Sequence, residues 1–92
     1  MVTLKLFPPY STVVGEKEVR IALPGGQPVS APEFFYRFCE QYPVLRELFF
    51  PSGSVQDFPG YTSVLRDGVS LRGTDAVRPA DVLEVLTALS GG

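Results

Sequence analysis

The sequence predicts an α+β domain, a mixed sheet of four to five strands packed on one main helix. Three observations carry this. Apolar residues alternate with a period of two in two runs near the N-terminus and again near the C-terminus. Between them, one stretch repeats aromatic residues at helical spacing behind a capping signal. The closing run is the most apolar in the chain, as suits a strand in the middle of a sheet rather than at its edge.

The first run is Val2 to Phe7, where Val2, Leu4 and Leu6 alternate with Thr3, Lys5 and Phe7 until Pro8-Pro9 stops it. After a loop through Gly15, Glu18 to Leu23 alternates again, with Val19, Ile21 and Leu23 on one face, and Pro24-Gly25-Gly26 ends the strand. Two such runs joined by an irregular loop read as an antiparallel hairpin. Ser30 then opens a helix. It can cap the first turn, Pro32 stands where its missing N–H costs nothing, and Glu33 completes an S-x-x-E box. Phe34, Phe35, Phe38 and Tyr42 recur at three- and four-residue spacing and form one apolar stripe. Pro43 either ends this helix or begins a second short one carrying Leu45, Leu48 and Phe49. Phe50 to Gly60, rich in Pro, Ser and Gly, reads as an exposed loop. Thr62 to Arg66 and Val69 to Leu71 flank Asp67-Gly68, a strong hairpin signal. Arg72 to Ala80 is polar and turn-like, and Asp81 introduces the closing strand from Val82 to Thr87.

A helix with a single apolar stripe needs one sheet face to cover, which makes a two-layer sandwich the economical solution. The closing strand reaches the middle of the sheet most simply by lying parallel to the first, with the helix in the crossover. That arrangement is a ubiquitin-like β-grasp. Residues 1–88 are expected to form it, and residues 89–92 a flexible tail ending in Gly-Gly.

Composition narrows the function. A chain of 92 residues builds one small core and no deep cleft. Ten acidic against eight basic residues give a net charge of −2, with no electrostatic footprint for nucleic acid or an anionic membrane. His is absent and Cys39 is the only cysteine, which excludes His-based triads, Cys/His zinc sites and an internal disulfide. Cys39, one turn after Phe35, reads as a small core residue rather than a nucleophile, since no His stands ready to activate it. Asp75, Asp81 and Glu84 have no metal-loop spacing, and Gly25-Gly26 and Gly53 follow no phosphate-loop pattern. No apolar run approaches the ~20 residues that span a bilayer. Met1 to Lys5 lacks the basic and apolar regions of a secretory signal, so a cytoplasmic domain is expected. The expected protein is not an enzyme and binds no cofactor.

The segments Val2 to Phe7, Gly15 to Leu23 and, above all, Asp81 to Gly92 resemble the MoaD/ThiS family of ubiquitin-like sulfur carriers. The chain departs from that pattern at Ala80, where the family often has Gly, at Leu65-Arg66 before the hairpin turn, and in an enlarged loop from Ser52 to Tyr61. The resemblance implies that an E1-like adenylating enzyme uses ATP to activate the Gly92 carboxylate. A sulfur donor then displaces AMP to leave a thiocarboxylate, and a synthase or transferase accepts the sulfur. Leu89, Ser90, Gly91 and Gly92 would form the reaching tail, which spans at most about 13–14 Å when extended. Without Cβ atoms, Gly91 and Gly92 suit a narrow channel.

Such a carrier needs a docking surface. Phe7 shares the outward face of Thr3 and Lys5, and Leu86 shares that of Glu84, so the two are expected to form an apolar patch near the tail's exit, extended by Val69. In the family the matching positions face the adenylating enzyme. The receiving pathway (molybdopterin, thiamine, cysteine, thiolated tRNA or a secondary metabolite) stays open. Two other functions share the features: a modifier conjugated to lysines, and a plain ubiquitin-like interaction domain.

Overall fold

The structure, a computed structural model, describes residues 1–88. The expectations for Leu89, Ser90, Gly91 and Gly92, and for a tail beginning at residue 89, lie outside the described residues. The elements follow in the order β1 (Val2–Leu6), α1 (Tyr10–Val14), β2 (Glu18–Ile21), β3 (Val29–Ser30), α2 (Ala31–Gln41), α3 (Arg46–Phe49), β4 (Thr62–Arg66), β5 (Val69–Ser70), β6 (Ala76–Val77) and β7 (Val82–Thr87). Five strands make one mixed sheet in the order β2-β1-β7-β4-β5, while β3 and β6 pair separately. β7 lies parallel to β1 and antiparallel to β4, in the middle of the sheet. With α2 packed on one face, this is the ubiquitin-like β-grasp expected from the order of the runs.

Alternation along the strands places the core. Val2, Leu4, Leu6, Val64, Leu83 and Val85 all point to the helix side and are buried. From the other layer come Phe34, Phe35 and Phe38 of α2, with Phe35 stacked on Phe49 (ring centroids 5.0 Å apart) and on Phe58 (5.5 Å). Ser30 caps α2, its hydroxyl accepting the Glu33 N–H at 3.3 Å. Only half of the box forms, because the Glu33 carboxylate takes Arg37 one turn on at 2.8 Å. Pro43 opens a one-turn 3-10 segment that leads into α3, the second of the two expected alternatives.

Three segments differ from the sequence expectation, each because of long-range burial. Between Pro9 and Gly15 the chain forms α1 rather than a loop, burying Tyr10 and closing on Gly15 at φ 85°. The stretch from Phe50 to Gly60 is not exposed throughout, since Phe50 and Phe58 are buried in the aromatic cluster. Its outer part is held by Asp57, whose Oδ2 accepts both the Ser52 N–H (2.6 Å) and the Ser52 hydroxyl. Those donors hold the Asp57 carboxyl below its ordinary range. Finally, Arg72 to Ala80 contains β6, which pairs with β3 and buries Val77.

Candidate functional site

The end of β7 is the place to which the sequence points, and the register shows what surrounds it. Lys5 lies opposite Glu84 and Leu6 opposite Val85 in the parallel pair, and the Phe7 N–H donates to the Val85 carbonyl at 3.0 Å. Phe7 therefore stands beside Leu86 on the outward face, and Ser63 of β4 stands opposite Leu86 on the other flank. Phe7 is 43% exposed and Leu86 half-buried. These two of the expected docking residues are brought together.

Val69 does not join them. Asp67 and Gly68 both have positive φ (52° and 78°), as a two-residue type I′ turn requires. That turn pairs Arg66 with Val69 and Leu65 with Ser70. Arg66 shares the side of Thr62 and Val64, so Val69 projects at the sheet edge on that side, away from Phe7 and Leu86. Ser70, opposite Leu65, takes the outward position instead.

A residue that the sequence reading left in the loop stands there too. The Ala88 N–H donates to the Tyr61 carbonyl at 2.9 Å, and the Tyr61 N–H donates to the Leu48 carbonyl at 2.8 Å. Tyr61 continues the outward alternation of Leu65 and Ser63 and is 61% exposed. One further step of the period-two pattern back from Ser63 was the signal for it. Phe7 and Tyr61 thus flank the end of β7 from its two neighbouring strands, with Leu86 between them.

Beneath this end lies a buried polar relay. The Thr62 hydroxyl donates to the Leu48 carbonyl at 3.2 Å, which leaves its oxygen to accept from the Tyr10 hydroxyl. Both side chains are buried, and desolvation pushes the Tyr10 phenol above its ordinary range. The relay satisfies these polar groups and ties α1, β4 and α3 together where β7 ends.

The start of β7 is pinned as well. Asp81 Oδ2 accepts Arg66 Nη1 at 2.7 Å and the Arg78 N–H at 2.9 Å, and the Asp81 carbonyl accepts the Thr3 N–H at 2.8 Å. Ala80, just before it, holds the left-handed φ of 69° that favours glycine.

Cys39 is buried in the core, and desolvation pushes its thiol up to about 12. That is a packing residue, not an activated nucleophile. Among the described residues no three His, Cys, Asp or Glu side chains gather to hold a metal, and no helix is long and apolar enough to cross a membrane. Phe7, Leu86 and Tyr61 make an exposed to half-buried, largely apolar group around the end of the central strand.

No protein-family model matches the chain, and no curated protein matches it. Solved structures do. SAMP1 from Haloferax volcanii superposes with a TM-score of 0.72 at 24% identity, covering 99% of this chain and 98% of that one. A putative molybdopterin converting factor, subunit 1, from Pyrococcus furiosus gives 0.73 at 19% identity, with coverage of 96% and 97%. A second structure of the H. volcanii small archaeal modifier protein 1 gives 0.72 at 21% identity. Over the described residues, the chain has the ubiquitin-like β-grasp fold of these small proteins.

Proposed function

We propose that the chain is a ubiquitin-like sulfur carrier, a co-substrate whose reactive atoms are main-chain atoms of Gly92. The observation that carries this reading is the position of β7. Central, parallel to β1 and pinned at both ends, it delivers residue 88 to an open end of the sheet beside exposed apolar side chains, with Leu-Ser-Gly-Gly still to come. A carboxylate at the end of that segment is a poor electrophile. An E1-like partner converts it with ATP to an acyl-adenylate, releasing pyrophosphate. A sulfur donor then supplies sulfide equivalents that displace AMP, leaving a thiocarboxylate for transfer to a synthase or transferase. ATP belongs to the partner's site, and the working compartment is the cytoplasm.

The likeness to a small archaeal modifier protein favours a second reading, in which the activated carboxyl group passes to a lysine amine. Both readings share the adenylation step. Intact-mass spectrometry separates them after incubation with source-cell extract, ATP and a sulfide source. The expected result is replacement of one oxygen by sulfur at Gly92, absent when Gly91 and Gly92 are deleted. Lysine-linked adducts without that exchange would establish the modifier. An unchanged mass overturns both and leaves an interaction domain.

A further inference from the structure

We infer that Tyr61 is a docking contact for the ATP-dependent enzyme that activates the tail, and that it sets how strongly this chain is recognised. The inference rests on the adenylation step proposed above. Its argument begins with reach. The chain beyond Ala88 is four residues long and spans at most about 13–14 Å. A partner that holds the final carboxylate in its nucleotide site must therefore bring the mouth of its channel against the end of β7. Whatever stands at that end is covered on docking.

Two exposed aromatic residues stand there, one on each flank of β7. Phe7 continues β1, and Tyr61 precedes β4. The two neighbouring strands lie roughly 10 Å apart across β7. Tyr61 is the more exposed, at 61% against 43%. It is also rigidly presented. Its N–H and carbonyl are both engaged, by Leu48 and Ala88, so the backbone that carries the ring is the backbone that holds Ala88, the first residue after β7. Gly60 before it has a left-handed φ of 61° and no room for a side chain, since a Cβ there would lie 2.6 Å from the Leu48 carbonyl oxygen. An aromatic ring with two rotatable bonds on a fixed backbone loses little entropy on burial, and such side chains dominate interface energetics.

Tyr61 contributes its ring and touches no reacting atom, so its loss weakens docking without changing the chemistry. The test is ATP–pyrophosphate exchange in clarified source-cell extract, driven by added chain over a range of concentrations. Tyr61→Ala should raise the half-saturating concentration about tenfold or more, at an unchanged maximal rate. Tyr61→Phe keeps the ring and should stay within about twofold of wild type. Val69→Ala, at an exposed site on the other side of the sheet, should change nothing. Half-saturation of Tyr61→Ala equal to wild type overturns the docking role and leaves the carrier reading standing. So does a loss confined to the maximal rate. If the wild-type chain drives no exchange at all, the adenylation reading fails, and this inference falls with it. Circular dichroism and urea unfolding of Tyr61→Ala should match wild type, and a tenfold loss that tracks unfolding instead refutes the contact.

Discussion

Asp81 offers a measurable link between local geometry and the placement of β7. One carboxylate oxygen takes both Arg66 Nη1 at 2.7 Å and the Arg78 N–H at 2.9 Å, while the same Nη1 donates to the Ala76 carbonyl at 3.0 Å. The Arg66 and Asp81 side chains are only 19% and 12% exposed, so this is not a solvated surface pair worth a few tenths of a kcal/mol. Asp81→Ala removes a charge-assisted bond and the side-chain acceptor of the Arg78 N–H, and leaves the guanidinium partly desolvated without its counter-charge. Hydrogen bonds to charged groups contribute about 1.5–3 kcal/mol, and breaking a fully buried pair costs about 3–5. The residual exposure puts Asp81→Ala at about 2–3 kcal/mol. At about 0.05–0.15 kcal/mol per residue of total stability, that is a large share for this chain, and the melting temperature should fall by about 10–20 °C. Urea unfolding should show a lower midpoint at unchanged slope. Arg66→Met should cost less, about 1–2 kcal/mol, because Asp81 keeps the Arg78 N–H. The double variant should then fall short of the sum by about 1–2 kcal/mol. A value for Asp81→Ala within about 0.5 kcal/mol of wild type, or an additive cycle, refutes the reasoning.

Gly60→Ala combines a left-handed φ with a Cβ placed 2.6 and 2.8 Å from two backbone carbonyl oxygens, so it should cost about 3 kcal/mol or more. Gly53→Ala, at φ 85° but in open space, should cost about 1–2 kcal/mol, and equal urea midpoints for the two would overturn the steric argument. The buried Cys39 thiol should resist a disulfide exchange reagent at pH 8 until urea unfolds the chain; rapid labelling of folded protein would contradict its burial. Its folded value of about 12 lies above the ordinary thiol value, so its contribution is intact below about pH 8.5 and lost as pH rises toward 12. Between pH 8 and 10 wild type should therefore lose stability relative to Cys39→Ala, whereas parallel curves would refute the shift.

Much of the route to the candidate site was legible in the residues themselves. Val2 to Leu6 and Val82 to Thr87 announce strands by alternation and by apolar content, and Asp67-Gly68 names its own turn type. Ser30, Pro32 and Glu33 mark a helix start that the structure reproduces, apart from the reciprocal bond, since the Glu33 carboxylate accepts from Arg37 instead. These signals are local, and each is set by geometry within a few residues. Phe7 beside Leu86 also followed, because two parallel neighbours with known faces leave only one register to settle. Val69 lies apart from them for a related reason: its face depends on which residue the turn pairs it with, and the pairing with Arg66 puts it on the other side.

By itself, then, the sequence determined the strand faces, the helix and its cap, the hairpin turn and the central place of the closing strand. All of these arise from backbone periodicity and short-range hydrogen bonding. Only the tertiary structure decided that Phe50 and Phe58 are buried in the core, that Ala76-Val77 pairs with Val29-Ser30, and that the Tyr61 backbone bonds to Leu48 and Ala88. Those outcomes depend on partners distant along the chain, such as Phe35 for Phe58 and Ala88 for Tyr61. A loop rich in Pro, Ser and Gly carries no periodicity from which such a contact can be read, so its place is set by what the rest of the fold leaves to be covered.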